Sequence, residues 1–278
     1  MTRSLPYAYM PPDGPMTPLV VSVPHAGMRV PTEDRARLLA DDRTIKLDAD
    51  LYVDRLYTHA PSLGAALLAS TVTRFVIDVN RGQDEIDSQA CVDTPSSAVS
   101  RPHGLAWWLS SDGEPLMDRP LTRAELDDRV ARIWRPYHRK LSELLIERRK
   151  RFGYAILLDA HSMASVGRAT HPDPGQHRAA IVPGDNHGAS CTSQLSEHVR
   201  EHFLERGFQV TMNAPYSGGY ITRHYGRPHE GFHAIQLELN RALYLHEEVP
   251  QLDDSRTAPL ISALDGLVAS LRALRLPA

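Results

Sequence analysis

The chain has 278 residues and a mass of 31.0 kDa, which suits one large α/β domain as readily as two small ones. Apolar residues make up 42% and charged residues 23%, which excludes wholesale disorder. The net charge of −3 argues against a bulk binder of nucleic acid or anionic membrane, and two cysteines exclude a disulfide scaffold or a Cys-rich zinc module.

In chain order, residues 1–18 hold five prolines and no apolar run, so they read as an irregular lead-in and not a secretory signal. Leu19–Val23 (LVVSV) is a β-branched run stopped by Pro24 and reads as a buried strand. Apolar Val53, Leu56, Tyr57 and Ala60 predict a helix over 48–60 with Asp48 as its N-cap. Residues 72–79 (VTRFVIDV) read as a second strand. Thr122 and Glu125 form a capping box. It opens a helix whose stripe runs from Leu126 to Leu145 and which Pro136 should kink or divide. The basic run 148–151 is expected as its solvated end. Further strands are expected at 155–158, 179–182 and 234–239, and helices at about 188–206 and 257–274. This alternation predicts an α/β fold with a parallel or mixed sheet. No stretch approaches 18 apolar residues, so no membrane span is expected. The absence of a signal and the scarcity of cysteine point to the cytoplasm.

The composition has one anomaly, 14 histidines, and their positions matter more than their number. Four predicted strands run into unusual polar groups: Pro24-His25, Asn80-Arg81, Ala160-His161, and Glu238 with Asn240-Arg241. Ligands of open α/β sheets bind beyond the carboxyl ends of the strands, so these ends form a candidate site. Within 235–240 the apolar Ile235, Leu237 and Leu239 share one face, and Gln236, Glu238 and Asn240 share the other. A glutamate on a central strand needs a partner or a function, unless the strand is an edge with Glu238 in water.

Taken together, these residues resemble the N-formylglutamate amidohydrolase family, a branch of the zinc-carboxypeptidase-like hydrolases. The resemblance rests on SVPHAG (22–27), DADLYVDRLY (48–57), RFVIDVNRG (74–82), WRPYHRKL (134–141), LLDAHSMAS (157–165), GASC (188–191), PYSGGYITRHYG (215–226) and LELNRALYL (237–245). The ordered set covers about 19–246, so one domain is expected over 1–278. The resemblance implies a three-layer αβα fold around a mixed, mainly parallel sheet. It also implies one zinc ion held by two histidines and a carboxylate. His25 and His161 match the histidine ligands, and catalytic zinc keeps three protein ligands with one open position.

Carboxypeptidase relatives carry a glutamate three residues after the first histidine, where this chain has Met28. Asp50 is the expected substitute, as it extends the buried face of the 48–60 helix; Asp54 is the reserve. Glu238 matches the catalytic glutamate, which takes a proton from water and returns it to the leaving amine. Asn80 and Arg81 match the pair that grips a substrate carboxylate, and Arg223, in the Gly218-Gly219 loop, is a second expected carboxylate contact. Cys191 is expected to be a buried or helix-start residue, not a nucleophile. Trp107 and Trp108 either line a wider pocket or pack, and His171 and His177 are expected to face water.

The implied reaction is hydrolysis of N-formyl-L-glutamate to formate and L-glutamate, at the end of histidine degradation. Two further readings stay open: the same chemistry on another N-acyl amino acid or small peptide, and a non-catalytic metal- or metabolite-binding protein. The expected partner is a small N-acyl amino acid, with no nucleic acid and no membrane.

Overall fold

A computed structural model describes residues 4–95 and 97–277. The main sheet contains β1 (Tyr7–Met10), β2 (Leu19–Val23), β3 (Ala66–Ser70), β4 (Ala155–Met163), β5 (Ile181–Gly184) and β6 (Phe232–Asn240). Their spatial order is β1-β3-β2-β4-β6-β5. The four central strands are parallel, and the two edge strands run antiparallel to their neighbours. The central strands are almost entirely buried, as parallel strands covered on both faces must be.

The helices that matter for the site are α1 (Asp42–Asp48), α2 (Val53–Leu56), α3 (Arg123–Arg129), α4 (Arg135–Phe152), α5 (Ser193–Leu204), α6 (Tyr220–Tyr225) and α7 (Asp254–Ala273). Strand alternation sorts the sheet's side chains between two cores. Leu19, Val21, Ile156, Leu158, Ile235 and Leu237 pack with residues of α2, α5 and α7. Val20, Ala66, Leu68, Leu157 and Ala234 pack with residues of α3, α4 and α6. This is the expected three-layer arrangement around a mixed, mainly parallel sheet.

On the face towards α4 the apolar character stops partway along the strands. In β4, Ala155 and Leu157 give way to Asp159 and His161; in β6, Ala234 gives way to Gln236, Glu238 and Asn240. All six polar side chains named here and in β2, Ser22 included, are buried. The parallel register sets His161 directly opposite Glu238. Because β6 lies between β4 and β5, Glu238 is not on an edge strand.

Several local expectations are corrected. The 48–60 segment is not one helix. Asp48 ends α1 instead of capping a helix, the backbone extends at Ala49 (ψ 149°), and Tyr52 is left-handed (φ 63°) before α2 begins. Residues 72–79 form no strand: the Asp78 amide donates to the Leu105 carbonyl and the Val76 amide to that of Thr73. Their apolar side chains are buried, but the sheet edge is taken by β3 and β1, which the sequence reading lacked. The lead-in is likewise not wholly irregular, since it contains β1; residues 1–3 lie outside the described residues. Arg148 is fully buried, where it donates to the Leu19 and Leu144 carbonyls, so only the residues after it form the solvated helix end.

The capping box of α3 is present in full. The helix is not ended at Pro136: the backbone stays right-handed through a π-helical turn, Val130–Trp134, and the proline is the second residue of α4, directly after that wider turn. Among the described residues no helix is long and apolar enough to cross a membrane.

Candidate metal centre and active-site cavity

The break between α1 and α2 brings Asp50 to the centre of the site. The Asp50 amide donates to the His25 carbonyl at 3.0 Å, tying it to the residue that follows β2 by one proline. Its Oδ2 then lies 3.5 Å from His25 Nδ1 and 3.0 Å from His161 Nδ1. A ligating atom from each of His25, Asp50 and His161 falls within 4.8 Å of the others, and all three residues are buried. Asp54, the reserve candidate, is outside this cluster.

The outer nitrogens of both rings are held by other groups. His25 Nε2 meets Asp78 Oδ1 at 2.7 Å. His161 Nε2 faces Asp159 Oδ2 at 3.3 Å and Asn80 Nδ2 at 3.2 Å. Carboxylates behind histidine rings fix ring orientation and raise basicity in metal sites. Asp78 is in turn held by Arg74, which donates to Oδ2 at 2.9 Å, and by the Asn80 amide, which donates to Oδ1 at 2.8 Å.

The charges support the same reading. Burial alone would raise the pKa of Asp50, but the facing imidazoles of His161 and His25 outweigh it and hold the carboxyl well below its usual range. Burial likewise opposes ionisation of Asp78, and nearby His25, Arg74 and Arg81 override it, again well below that range. Burial disfavours a charged His161, yet the carboxylates of Asp159, Asp50 and Glu238 push its pKa well above the ordinary imidazole value. Negative charge that favours a proton on His161 also favours a metal cation among the three donors.

The residues fit such an ion. Among the described residues His25 Nδ1 is buried without a hydrogen-bond partner, which is costly unless something occupies it. Two imidazoles and one carboxylate form a zinc-type donor set.

Glu238 stands beside this cluster. Gln236 Nε2 donates to its Oε1 at 3.0 Å, while Oε2 is buried and without a partner among the described residues. Burial, reinforced by Asp50, raises the pKa of Glu238 to about 7 against the pull of His161, Arg74 and Arg178. Gln236 Oε1 accepts the Gly219 amide at 2.8 Å, so one side-chain amide joins Glu238 to the Gly218-Gly219 loop.

A cavity of about 540 Å³ opens over these groups and is lined by the residues expected to ligate metal, transfer protons or hold substrate: His25, Asp50, Asn80, Arg81, His161, Arg223 and Glu238. The Asn80 amide is engaged at both ends, with Nδ2 at His161 and Oδ1 accepting the Ile221 amide at 2.7 Å. Arg81 donates to the His103 and Asn80 carbonyls, and its own carbonyl accepts Trp134 Nε1 at 2.8 Å from the π-helical turn. Trp107 lines the cavity beneath the Arg74 guanidinium, 4.5 Å from the ring centre, while Trp108 packs with the core around α4.

His171 does not face open water. It lines the cavity, and burial together with Arg178 lowers its pKa to about 4; His177 is exposed as expected. Cys191 is buried, and burial raises its pKa to about 12, which suits no nucleophile. The sequence reading missed Asp78, Asp159 and Gln236. For Asp159 and Gln236 the signal was present, since each stands two residues before a singled-out residue on the same strand face.

A family model described as N-formylglutamate amidohydrolase matches residues 17–245. An N-formylglutamate deformylase of Pseudomonas putida is 37% identical over 236 residues, covering 84% of each chain. One of Pseudomonas aeruginosa is 34% identical over 260 residues, covering 91% of this chain and 93% of that one. The crystal structure of N-formylglutamate amidohydrolase from Ralstonia eutropha JMP134 superposes with a TM-score of 0.87 at 30% identity, over 97% of this chain and 98% of that one. A gene product of Agrobacterium tumefaciens shares the fold, with a TM-score of 0.71 at 18% identity over 97% and 96% of the two chains. The match spans every strand of the main sheet except β1 and every lining residue named above, and on that footing the chain belongs to the N-formylglutamate amidohydrolase family.

Proposed function

We propose that this protein is a zinc-dependent hydrolase that cleaves the amide of N-formyl-L-glutamate into formate and L-glutamate, the last step of histidine degradation. The observation that carries the proposal is the shared cavity: three metal-type donors, an unpartnered Glu238 oxygen and several arginines all line it, in a chain of this family. His25, Asp50 and His161 are the residues that would hold the ion. When bound, zinc polarises the formyl carbonyl and lowers the pKa of an attacking water.

The protein's own groups supply the rest. Glu238 Oε2 takes a proton from the water as its oxygen adds to the formyl carbon. It then delivers that proton to the glutamate nitrogen as the C–N bond breaks. A carboxylate with a pKa near 7 is well suited to both transfers. Gln236 holds the other oxygen of Glu238, so the reactive one keeps a fixed direction. Asn80 steadies the ring of His161 and the start of α6, while Arg81 and Arg223 receive substrate carboxylates; Arg fits these as a planar fork. The proposed location is the cytoplasm, in keeping with two free, buried cysteines.

The test is Glu238→Gln. The variant is expected to keep its zinc, measured by mass spectrometry, and to lose about 10²- to 10⁴-fold in kcat on N-formyl-L-glutamate. Full turnover in that variant refutes the mechanism. Absence of zinc from the wild-type protein refutes the metal assignment.

A further inference from the structure

Most arginines lining the cavity have a carboxylate of their own. Arg74 is paired with Asp78, Arg168 with Asp48, Arg178 with Asp173 and Arg241 with Asp50. One wall differs. Arg101, just after the short strand Val99–Ser100, and Arg223, on α6, both donate to the same oxygen, Glu85 Oε1, at 2.9 Å each. Glu85 Oε2 accepts the amide of Gly82 at 2.6 Å, next to Arg81. The nearest carboxylate contact of Arg81 itself is Asp78, at 4.0 Å, and Asp78 is already held by Arg74.

Arg101 and Arg223 therefore share the Glu85 carboxylate while Arg74 and Arg81 share that of Asp78: four guanidinium groups against two carboxylates, a formal surplus of two positive charges. The exposures fit a binding surface: the Glu85 side chain is 10% exposed, while those of Arg101 and Arg223 are 43% and 34% exposed. The carboxylate sits behind and aligns the cations, and the cations meet the cavity. The bond to Glu85 uses one of the five N–H donors of Arg101.

We propose that this wall reads a dicarboxylate. Arg81 takes one carboxylate of the substrate, and the Arg101–Arg223 pair, aligned on Glu85, takes the other. Arg101 is then a specificity-determining residue that selects N-acyl derivatives of acidic amino acids over their neutral counterparts. The proposal rests on the reading of the site as an amidohydrolase of N-formylglutamate.

The experiment compares wild type, Arg101→Gln and Arg101→Lys on N-formyl-L-glutamate and N-formyl-L-glutamine, which differ only in the side-chain carboxylate. Wild type should strongly prefer the acid. Arg101→Gln should raise KM for the acid about tenfold at similar kcat, and lower kcat/KM for the amide by a much smaller factor. Arg101→Lys should fall between, as a point charge without the fork. An unchanged acid-to-amide ratio in Arg101→Gln overturns the proposal, including the case where both substrates lose equally, which is what a purely structural tie to Glu85 would give. A wild type that accepts both substrates equally also overturns it, and leaves the amidohydrolase reading standing. A zinc-loaded wild type that hydrolyses neither overturns the amidohydrolase reading first.

Discussion

Replacing Asp78 by asparagine separates a metal-site role from a structural one. The carboxylate is fully buried and does two jobs. Its Oδ1 accepts from His25 Nε2 and the Asn80 amide, and its Oδ2 accepts from Arg74. Asparagine can keep an oxygen towards His25, but it then turns an NH₂ group towards the Arg74 guanidinium, donor against donor. The negative charge behind the His25 ring is lost in either orientation. Loss of such an outer partner costs about 10- to 100-fold in metal affinity, or about 1.4–2.7 kcal/mol. Stability also falls, because an unpaired buried charge costs about 3–5 kcal/mol at most sites; Arg74 is 14% exposed, so the lower end applies.

The pH dependence has a definite sign. Asp78 is held well below the ordinary value of 3.8, so its stabilisation is fully present above about 4 and is lost as pH falls through its folded pKa. The assay is zinc affinity by chelator competition, alongside urea unfolding of the zinc-free protein. Arg74→Met is the control: it should lower stability while keeping most of the zinc affinity, because the Asp78–His25 contact remains. If Asp78→Asn lowers stability but leaves zinc affinity within about twofold, Asp78 serves the arginine alone and the ligand assignment of His25 is wrong.

Two further outcomes follow from His138 and Gly219. His138 is buried between Tyr225 and the Val79 carbonyl, and burial pushes its pKa to about 3 from an ordinary 6.5. The unfolded chain binds that proton first, so stability falls as pH drops below 6.5, by about 2 kcal/mol at pH 5 from this group. His138→Gln should reduce the loss between pH 7 and pH 5 by about that amount in urea unfolding; an unchanged loss contradicts the buried neutral ring. Gly219 has an ordinary φ of −79°, so its need for glycine is spatial: a Cβ there would collide with the Asn80 side-chain amide. Gly219→Ala should lower kcat/KM about 100-fold through a displaced Asn80, and a near-normal rate would show that the contact is dispensable.

The parts of this molecule that are legible from sequence are those where burial and backbone pairing coincide. Leu19–Val23 and the strands carrying His161 and Glu238 are apolar runs that end in polar residues, and the alternation within 235–240 separates the apolar face from the polar one that meets the site, although both are buried. Residues 72–79 have the same composition but no neighbouring strand; their burial comes from side chains in a loop, which periodicity cannot distinguish. The Ala-rich β3 carries too little β-branched signal to be noticed. Asp50 reaches the histidines because the helix is interrupted, not because it shares a helical face, and that interruption depends on a tertiary hydrogen bond to the His25 carbonyl. Asp78 was hidden for a similar reason: its partner His25 is 53 residues away in the chain.

The register that sets His161 opposite Glu238 has one more consequence. The proposed metal ligand and the proposed proton-transfer group, on adjacent strands, are spaced by the hydrogen-bond ladder itself, about 4.8 Å from strand to strand. Loops can drift or lengthen without altering that spacing, whereas a slip of one residue would turn Glu238 out to the opposite face of the sheet. Variation in the surrounding loops therefore changes which molecule is admitted, and the distance between the two reacting groups is inherited unchanged from the sheet.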